Sequence, residues 1–296
     1  MKNTVFTGAG VAIVTPMNTD GSVNYAKLRE LIDFQIENST DAIIICGTTG
    51  ESSTLTDSEH VECIRIAVEQ TRKRVPVIAG TGSNDTRYAI ELSKEAQGLG
   101  ADALLVVSPY YNKTSQRGLV AHFTAIADSV SIPIILYNIP PRTNVNIAID
   151  TFVELSKHKN IVAVKEAGGS ISYVAEIIAA CGENLDVYSG NDDQIVPIMS
   201  LGGKGVISVL SNIMPKETHV MTKLCLENNF HEAAKMQIEL LKLINNLFID
   251  VNPIPVKEAM NLMGMNVGEC RLPLIRMEQK KIDALAESMK KAGLIK

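Results

Sequence analysis

Residues 161–167 read Ile161-Val162-Ala163-Val164-Lys165-Glu166-Ala167, a short apolar, β-branched run that ends on a lysine. A continuous apolar run of this length reads as a strand of a parallel sheet covered on both faces. A second run, 132–137, ends on Tyr137. Working outward, similar runs stand at 10–14, 42–46, 75–79, 103–107, 185–188 and 205–209, which makes eight at intervals of roughly 20–35 residues. Helix-like segments lie between them, among others at 25–37, 58–72, 86–99 and 116–130. The first places Leu28, Leu31, Ile32 and Ile36 on one face. Eight βα units predict an α/β fold, a closed (β/α)8 TIM barrel with its helices outside. An open doubly wound sheet is the alternative, though eight strands are many for it.

The alternation stops after residue 209. From Pro215 onward only helical periodicity remains, in 216–226, 231–248, 255–263 and 279–292. The pattern predicts a barrel over 1–214 that holds the active site, and a C-terminal helical subdomain over 215–296. No linker rich in Pro, Gly or Ser precedes the second part, so it should pack on the barrel.

The chain has 296 residues, 46% of them hydrophobic and 21% charged, with a net charge of -5. That composition is globular, and it lacks the basic stripe of a nucleic-acid or acidic-membrane binder. Cys46, Cys63, Cys181, Cys225 and Cys270 are scattered and form no CxxC pair, so neither zinc nor a disulfide framework is expected. Reduced thiols suit a cytoplasmic protein. The N-terminal residues read as a strand rather than a signal peptide, and no run is long enough to span a membrane. His60, His122, His158, His219 and His231 show no ligand-like spacing, so no catalytic metal is expected.

Alternate strand residues share a face, so Ile161, Ala163 and Lys165 should point together, as should Ile135 and Tyr137. If that face is the barrel interior, a phenol and an amine meet at the C-terminal mouth, where barrel active sites are built. Neighbouring strands lie about 5 Å apart, which brings both within reach of one small molecule. A lone strand-end lysine is most often solvated. A buried one is costly as an ammonium, and a neutral amine makes imines with carbonyl compounds.

Gly47-Thr48-Thr49-Gly50-Glu51 follows the second run. Its amides and hydroxyls could cradle a carboxylate, or it is a plain βα turn with capping threonines. Ser108-Pro109-Tyr110-Tyr111-Asn112 follows the fourth run and could be plain packing. Arg142 lies beyond Tyr137 in a proline-stiffened loop, suited to a carboxylate or to a surface ion pair. Gly202-Gly203-Lys204-Gly205 precedes its strand, so it should be a helix-ending turn at the opposite end.

Taken together, GTTGE at 47–51, PYYN at 109–112, YNIPPRT at 137–143, VKEA at 164–167, YSGND at 188–192 and NPIPVK at 252–257 resemble the dihydrodipicolinate synthase family. The likeness spans nearly the whole chain, in order. GTTGE and the Tyr-to-Lys spacing are shared with the wider pyruvate-dependent aldolases, including N-acetylneuraminate lyase. The resemblance implies that Lys165 forms an imine with pyruvate and that Tyr137, Thr48 and Tyr111 relay protons. Tyr111 would reach into the neighbouring subunit of a homotetramer, a dimer of dimers. It implies that Thr48 and Thr49 hold the pyruvate carboxylate and that Arg142 holds the carboxylate of aspartate semialdehyde. Gly190 and the Ile207 backbone would line the lysine's pocket, with Asn252 nearby. No cofactor or metal is implied. The pathway implied is lysine (diaminopimelate) biosynthesis. The alternatives are another pyruvate-dependent lyase or a barrel that has lost catalysis.

One departure from the family concerns feedback inhibition by lysine. The corresponding positions read Ser52, Ser53, Asp57, His60, Asn84, Tyr88 and Tyr110. Lysine-sensitive relatives commonly carry a histidine at the position of Asp57 and a glutamate at that of Tyr88. The second change removes an anion that would pair with an ammonium, so inhibition is expected to be weak or absent, with Asp57 and Asp85 as the carboxylates that could compensate.

Overall fold

The computed structural model describes residues 2–296. Eight strands, β1 (Gly8–Ala12), β2 (Ala42–Ile45), β3 (Val77–Gly80), β4 (Ala103–Val107), β5 (Ile134–Asn138), β6 (Ile161–Glu166), β7 (Asp186–Ser189) and β8 (Gly205–Ser208), close in chain order into a parallel barrel. Side chains alternate as a pleat requires. Ile44, Ile78, Leu105, Ile135 and Ile207 fill the interior, while Ile43, Ile45, Leu104, Val106 and Leu136 pack outward under the helices. β1 starts before its apolar run because pairing uses only backbone: Gly8 stands in register with Gly205 and its N donates to Lys204 O at 3.0 Å.

One expectation about facing fails. The β5–β6 register runs Ile134 to Ile161 and then Ile135 to Ala163, so β6 carries an extra residue, a bulge. Ile161 therefore joins the outer core and Val162 the interior. Beyond the bulge the pleat is regular, so Ala163 and Lys165 still face inward as expected.

The floor of the barrel is plugged. Phe6 stacks on Tyr188 with ring centroids 4.4 Å apart, and the Tyr188 hydroxyl donates to Phe6 O at 2.6 Å. Beneath β6 the Lys2 ammonium donates to the carbonyls of Ser156, of His158 at 2.8 Å and of Ile161 at 2.5 Å. The glycine run after helix Ile195–Ser200 ends that helix, with Gly202 N and Gly203 N donating to Met199 O at 3.0 Å and Ile198 O at 3.1 Å. It is a C-terminal turn and not a phosphate loop.

Helix Asp57–Thr71 opens on a reciprocal capping box between Thr56 and Glu59. Glu59 also takes the Arg271 guanidinium, which holds its carboxyl down at about 2. Helix Pro215–Leu226 packs on β1 and β8. Three later helices follow, Phe230–Asn246, Ile254–Leu262 and Gln279–Lys291. The second of them begins at the barrel mouth, next to the residues described below.

Candidate active site

The β5–β6 register sets Tyr137 directly beside Lys165. Both are buried, at 5% and 6% exposure. The Lys165 Nζ lies 4.3 Å from the centroid of the Tyr137 ring, against its face. β7 closes on the same place through Gly190, whose N donates to Glu166 O at 2.7 Å. A Cβ at Gly190 would stand 2.6 Å from the Ala167 Cβ and 2.9 Å from Glu166 O, so only glycine permits this approach. Ile207, registered with Gly10 on β1, fills the interior of the barrel. Asp192, buried nearby, feels the charge of Lys165, and its Oδ2 accepts Val209 N at 3.0 Å and Leu210 N at 2.9 Å. Burial pushes its carboxyl up, opposed by the Ser208 hydroxyl, these amides and the charge on Lys165.

The 47–51 loop folds back on itself, with Gly50 N and Glu51 N donating to Gly47 O and Thr48 O, each at 3.1 Å. Thr48 is half-buried and lines the mouth, and Thr49 is buried. Arg142 lies in a one-turn helix, Pro140–Thr143, that the two prolines start. Its Nη2 donates to Asn252 O at 3.0 Å, while Asn252 Nδ2 donates to Thr49 Oγ1 at 3.0 Å. Asn252 therefore bridges the threonine loop and the arginine loop. Between them lies a cleft of about 340 Å³ lined by Thr48, Tyr110, Arg142 and Asn252, among others.

The structure thus gathers Lys165, Tyr137, Thr48, Thr49, Arg142, Gly190, Ile207 and Asn252 at one end of the barrel. Tyr111 is not among them. It is 91% exposed, with its backbone in the left-handed region at φ 68, while its neighbour Tyr110 lines the cleft. Of the residues carried over for a lysine site, His60 turns into the core, its Nε2 on Gly80 O at 2.8 Å, and burial lowers its pKa. The Tyr88 hydroxyl donates to Asp57 Oδ1 at 2.7 Å. Burial and then this bond raise Tyr88 to about 12.

Sequence reading assigned no role to Glu51, Lys257 or Asp192. A visible signal existed for Lys257, a lone charge in the run Ile254-Pro255-Val256-Lys257. Among the described residues no cluster of three His, Cys, Asp or Glu could hold a metal ion, and no helix is long and apolar enough to cross a membrane.

A buried lysine and tyrosine thus stand at the barrel end that carries a cleft with an arginine. The model of the dihydrodipicolinate synthetase family matches residues 5–292. The chain belongs to this family. Over 292 residues it is 60% identical to the 4-hydroxy-tetrahydrodipicolinate synthase of Lachnoclostridium phytofermentans, covering 98% of this chain and 99% of that one. The fold matches the chloride-inhibited dihydrodipicolinate synthase of Acinetobacter baumannii complexed with pyruvate, with a TM-score of 0.97 and 43% identity, over 99% of this chain and 100% of that one. It also matches the enzyme of Cyanidioschyzon merolae with lysine bound, with a TM-score of 0.96 and 40% identity, over 99% and 100% of the two chains.

Proposed function

We propose that this barrel condenses pyruvate with L-aspartate 4-semialdehyde through an imine on Lys165, giving 4-hydroxy-tetrahydrodipicolinate for lysine biosynthesis. The observation that carries the reading is the buried Lys165–Tyr137 pair, at the end of the barrel where Thr48 and Arg142 line a cleft. The unprotonated amine attacks the pyruvate ketone and water leaves. The iminium draws electrons, so a methyl proton departs and an enamine forms. Its carbon attacks the aldehyde, and the resulting alkoxide takes a proton. The amine of the former semialdehyde then closes on the imine carbon and expels Lys165. These proton movements need groups that give and take in turn, a role for the Tyr137 phenol with the Thr48 hydroxyl. The Thr48–Thr49 segment holds the pyruvate carboxylate, and Arg142 the carboxylate of the aldehyde. Asn252 and Gly190 shape the pocket.

Tyr111 completes the relay from a neighbouring copy in a homotetramer. Its exposure and left-handed backbone support this, because such a conformation persists where surroundings or function require it. The five free cysteines support a cytoplasmic setting.

The test is incubation with pyruvate and borohydride, followed by peptide mass analysis. A pyruvate-derived mass on the Lys165 peptide is expected, and modification only elsewhere, or nowhere, would rule the mechanism out. Dilution to a folded monomer should stop turnover, whereas a fully active monomer removes Tyr111 from the relay.

A further inference from the structure

The threonine loop ends in an ion pair that the mechanism does not use. Lys257 Nζ donates to Glu51 Oε1 at 2.8 Å, and both side chains are 2% exposed. The other two ammonium protons go to Thr15 O at 3.2 Å and Glu269 O at 2.7 Å. Glu51 Oε2 accepts Arg271 N at 2.9 Å. Lys257 thus directs its three donors to the segment just after β1, to the threonine loop and to the 269–271 segment. Glu51 itself is held left-handed at φ 55, a conformation a non-glycine residue keeps only when its surroundings enforce it.

Burying two charges is poor value for stability alone, since apolar residues of similar volume serve a fold as well or better. What the pair does supply is a fixed direction. Lys257 lies on helix Ile254–Leu262, and Asn252, just before that helix, donates to Thr49 Oγ1. One helix and the residue before it therefore grip the loop twice, at Thr49 and at Glu51. Thr15 Oγ1 donates to Gly50 O at 2.7 Å, which fixes the residue between the two grips.

We propose that the buried Lys257–Glu51 pair is a positioning device that sets Thr48 and Thr49 for the pyruvate carboxylate, so that the C-terminal helices control pyruvate binding. This rests on the reading that the loop holds pyruvate. Lys257 does not line the cleft, and Glu51, which does, commits its two oxygens to Lys257 and to Arg271 N. Both act through the loop backbone.

The experiment compares Glu51→Gln, Lys257→Met, the double variant and Thr49→Val, at a temperature where each folded protein gives the parental circular dichroism. Glu51→Gln keeps the shape and the acceptor for Arg271 N. The double variant removes both charges and leaves neither unpaired. The expected result is a pyruvate KM raised on the order of 10–100-fold in the double variant. The KM for the aldehyde should change less, and folding should be retained. A double variant with parental pyruvate KM, beside a Thr49→Val that raises it, overturns the inference alone. Parental pyruvate KM in both overturns the loop's role and the inference with it. A double variant that does not fold makes the pair a folding element and also overturns the proposal.

Discussion

At the floor of the barrel the Lys2 ammonium rests on three backbone carbonyls, one of them Ile161 O at the start of β6. At the mouth, on the last turn of the same strand's pleat, the Lys165 Nζ rests on the face of Tyr137. The first arrangement satisfies a cation and stitches the chain end to the barrel. The second leaves a nitrogen next to a cleft, against a ring. The same contrast recurs around them. The floor is closed by the Phe6–Tyr188 stack and its hydrogen bond. At the mouth, Asn252 Oδ1 and Asp192 Oδ1 are buried without a partner among the described residues. Left-handed backbone does not separate the two ends, since Cys46, Glu51 and Tyr111 hold it in βα loops and Ser39, Arg72 and Lys73 in αβ loops. The contrast lies in the two lysines and in the closed stack opposite an open cleft.

The largest effect expected from this contrast is at Lys165. Lys165→Ala should fold and melt like the parent, because it removes no hydrogen bond that the barrel depends on. It should lose nearly all turnover, measured as product formed from pyruvate and aspartate semialdehyde. A variant that instead unfolds would make the mouth lysine as structural as Lys2 and dissolve the contrast.

Arg142 sharpens it within the mouth. Arg142→Ala should harm use of the aldehyde far more than borohydride-trappable imine formation, because truncating one partner of a charged pair costs roughly 2–5 kcal/mol. Equal damage to both steps would mean that its bond to Asn252 O, and so the architecture of the mouth, is what matters.

The floor should respond the other way. Tyr188→Phe removes the hydroxyl that donates to Phe6 O and leaves a buried carbonyl unsatisfied. That should cost about 1–3 kcal/mol of stability in a denaturant titration. Turnover measured well below the melting point should stay at the parental level. A loss of activity without a loss of stability would show that the floor transmits to the mouth.

The two ends also differ in how far they could be read from sequence. The strands and their order were legible because a parallel barrel writes each strand as an apolar run. The lysine and tyrosine were legible because both end such runs in matching parity. The bulge at Ile161 and Val162 was not, since alternation assumes a regular pleat and nothing in two β-branched residues marks an extra one. Nor was the Lys257–Glu51 pair legible. Its partners stand 206 residues apart, and only the closed barrel brings the last helices against the second βα loop. Local pattern gave the elements and their mouth ends, while the grips between distant segments needed the folded chain.

The smallest effect expected is no effect at all, of lysine on the rate. Binding lysine needs an anion for each ammonium, because a partly buried ammonium left unpaired is costly. Tyr88 supplies none, and the structure accounts for the two carboxylates that could compensate. Asp57 Oδ1 already accepts the Tyr88 hydroxyl at 2.7 Å. Asp85 caps helix Thr86–Gly98, its Oδ1 accepting Arg87 N at 2.9 Å and Tyr88 N at 3.3 Å. His60 is turned to Gly80 O in the core. An ammonium at either carboxylate would compete with the phenol at Asp57 or with the helix cap at Asp85, and that competition subtracts from affinity. Millimolar lysine should therefore leave the steady-state rate unchanged. Tyr88→Glu, which frees Asp57 and adds a carboxylate, should make inhibition appear. Strong inhibition of the parent would show that Asp57 gives up Tyr88 readily. Inhibition absent from both proteins would place the missing determinant outside this pair.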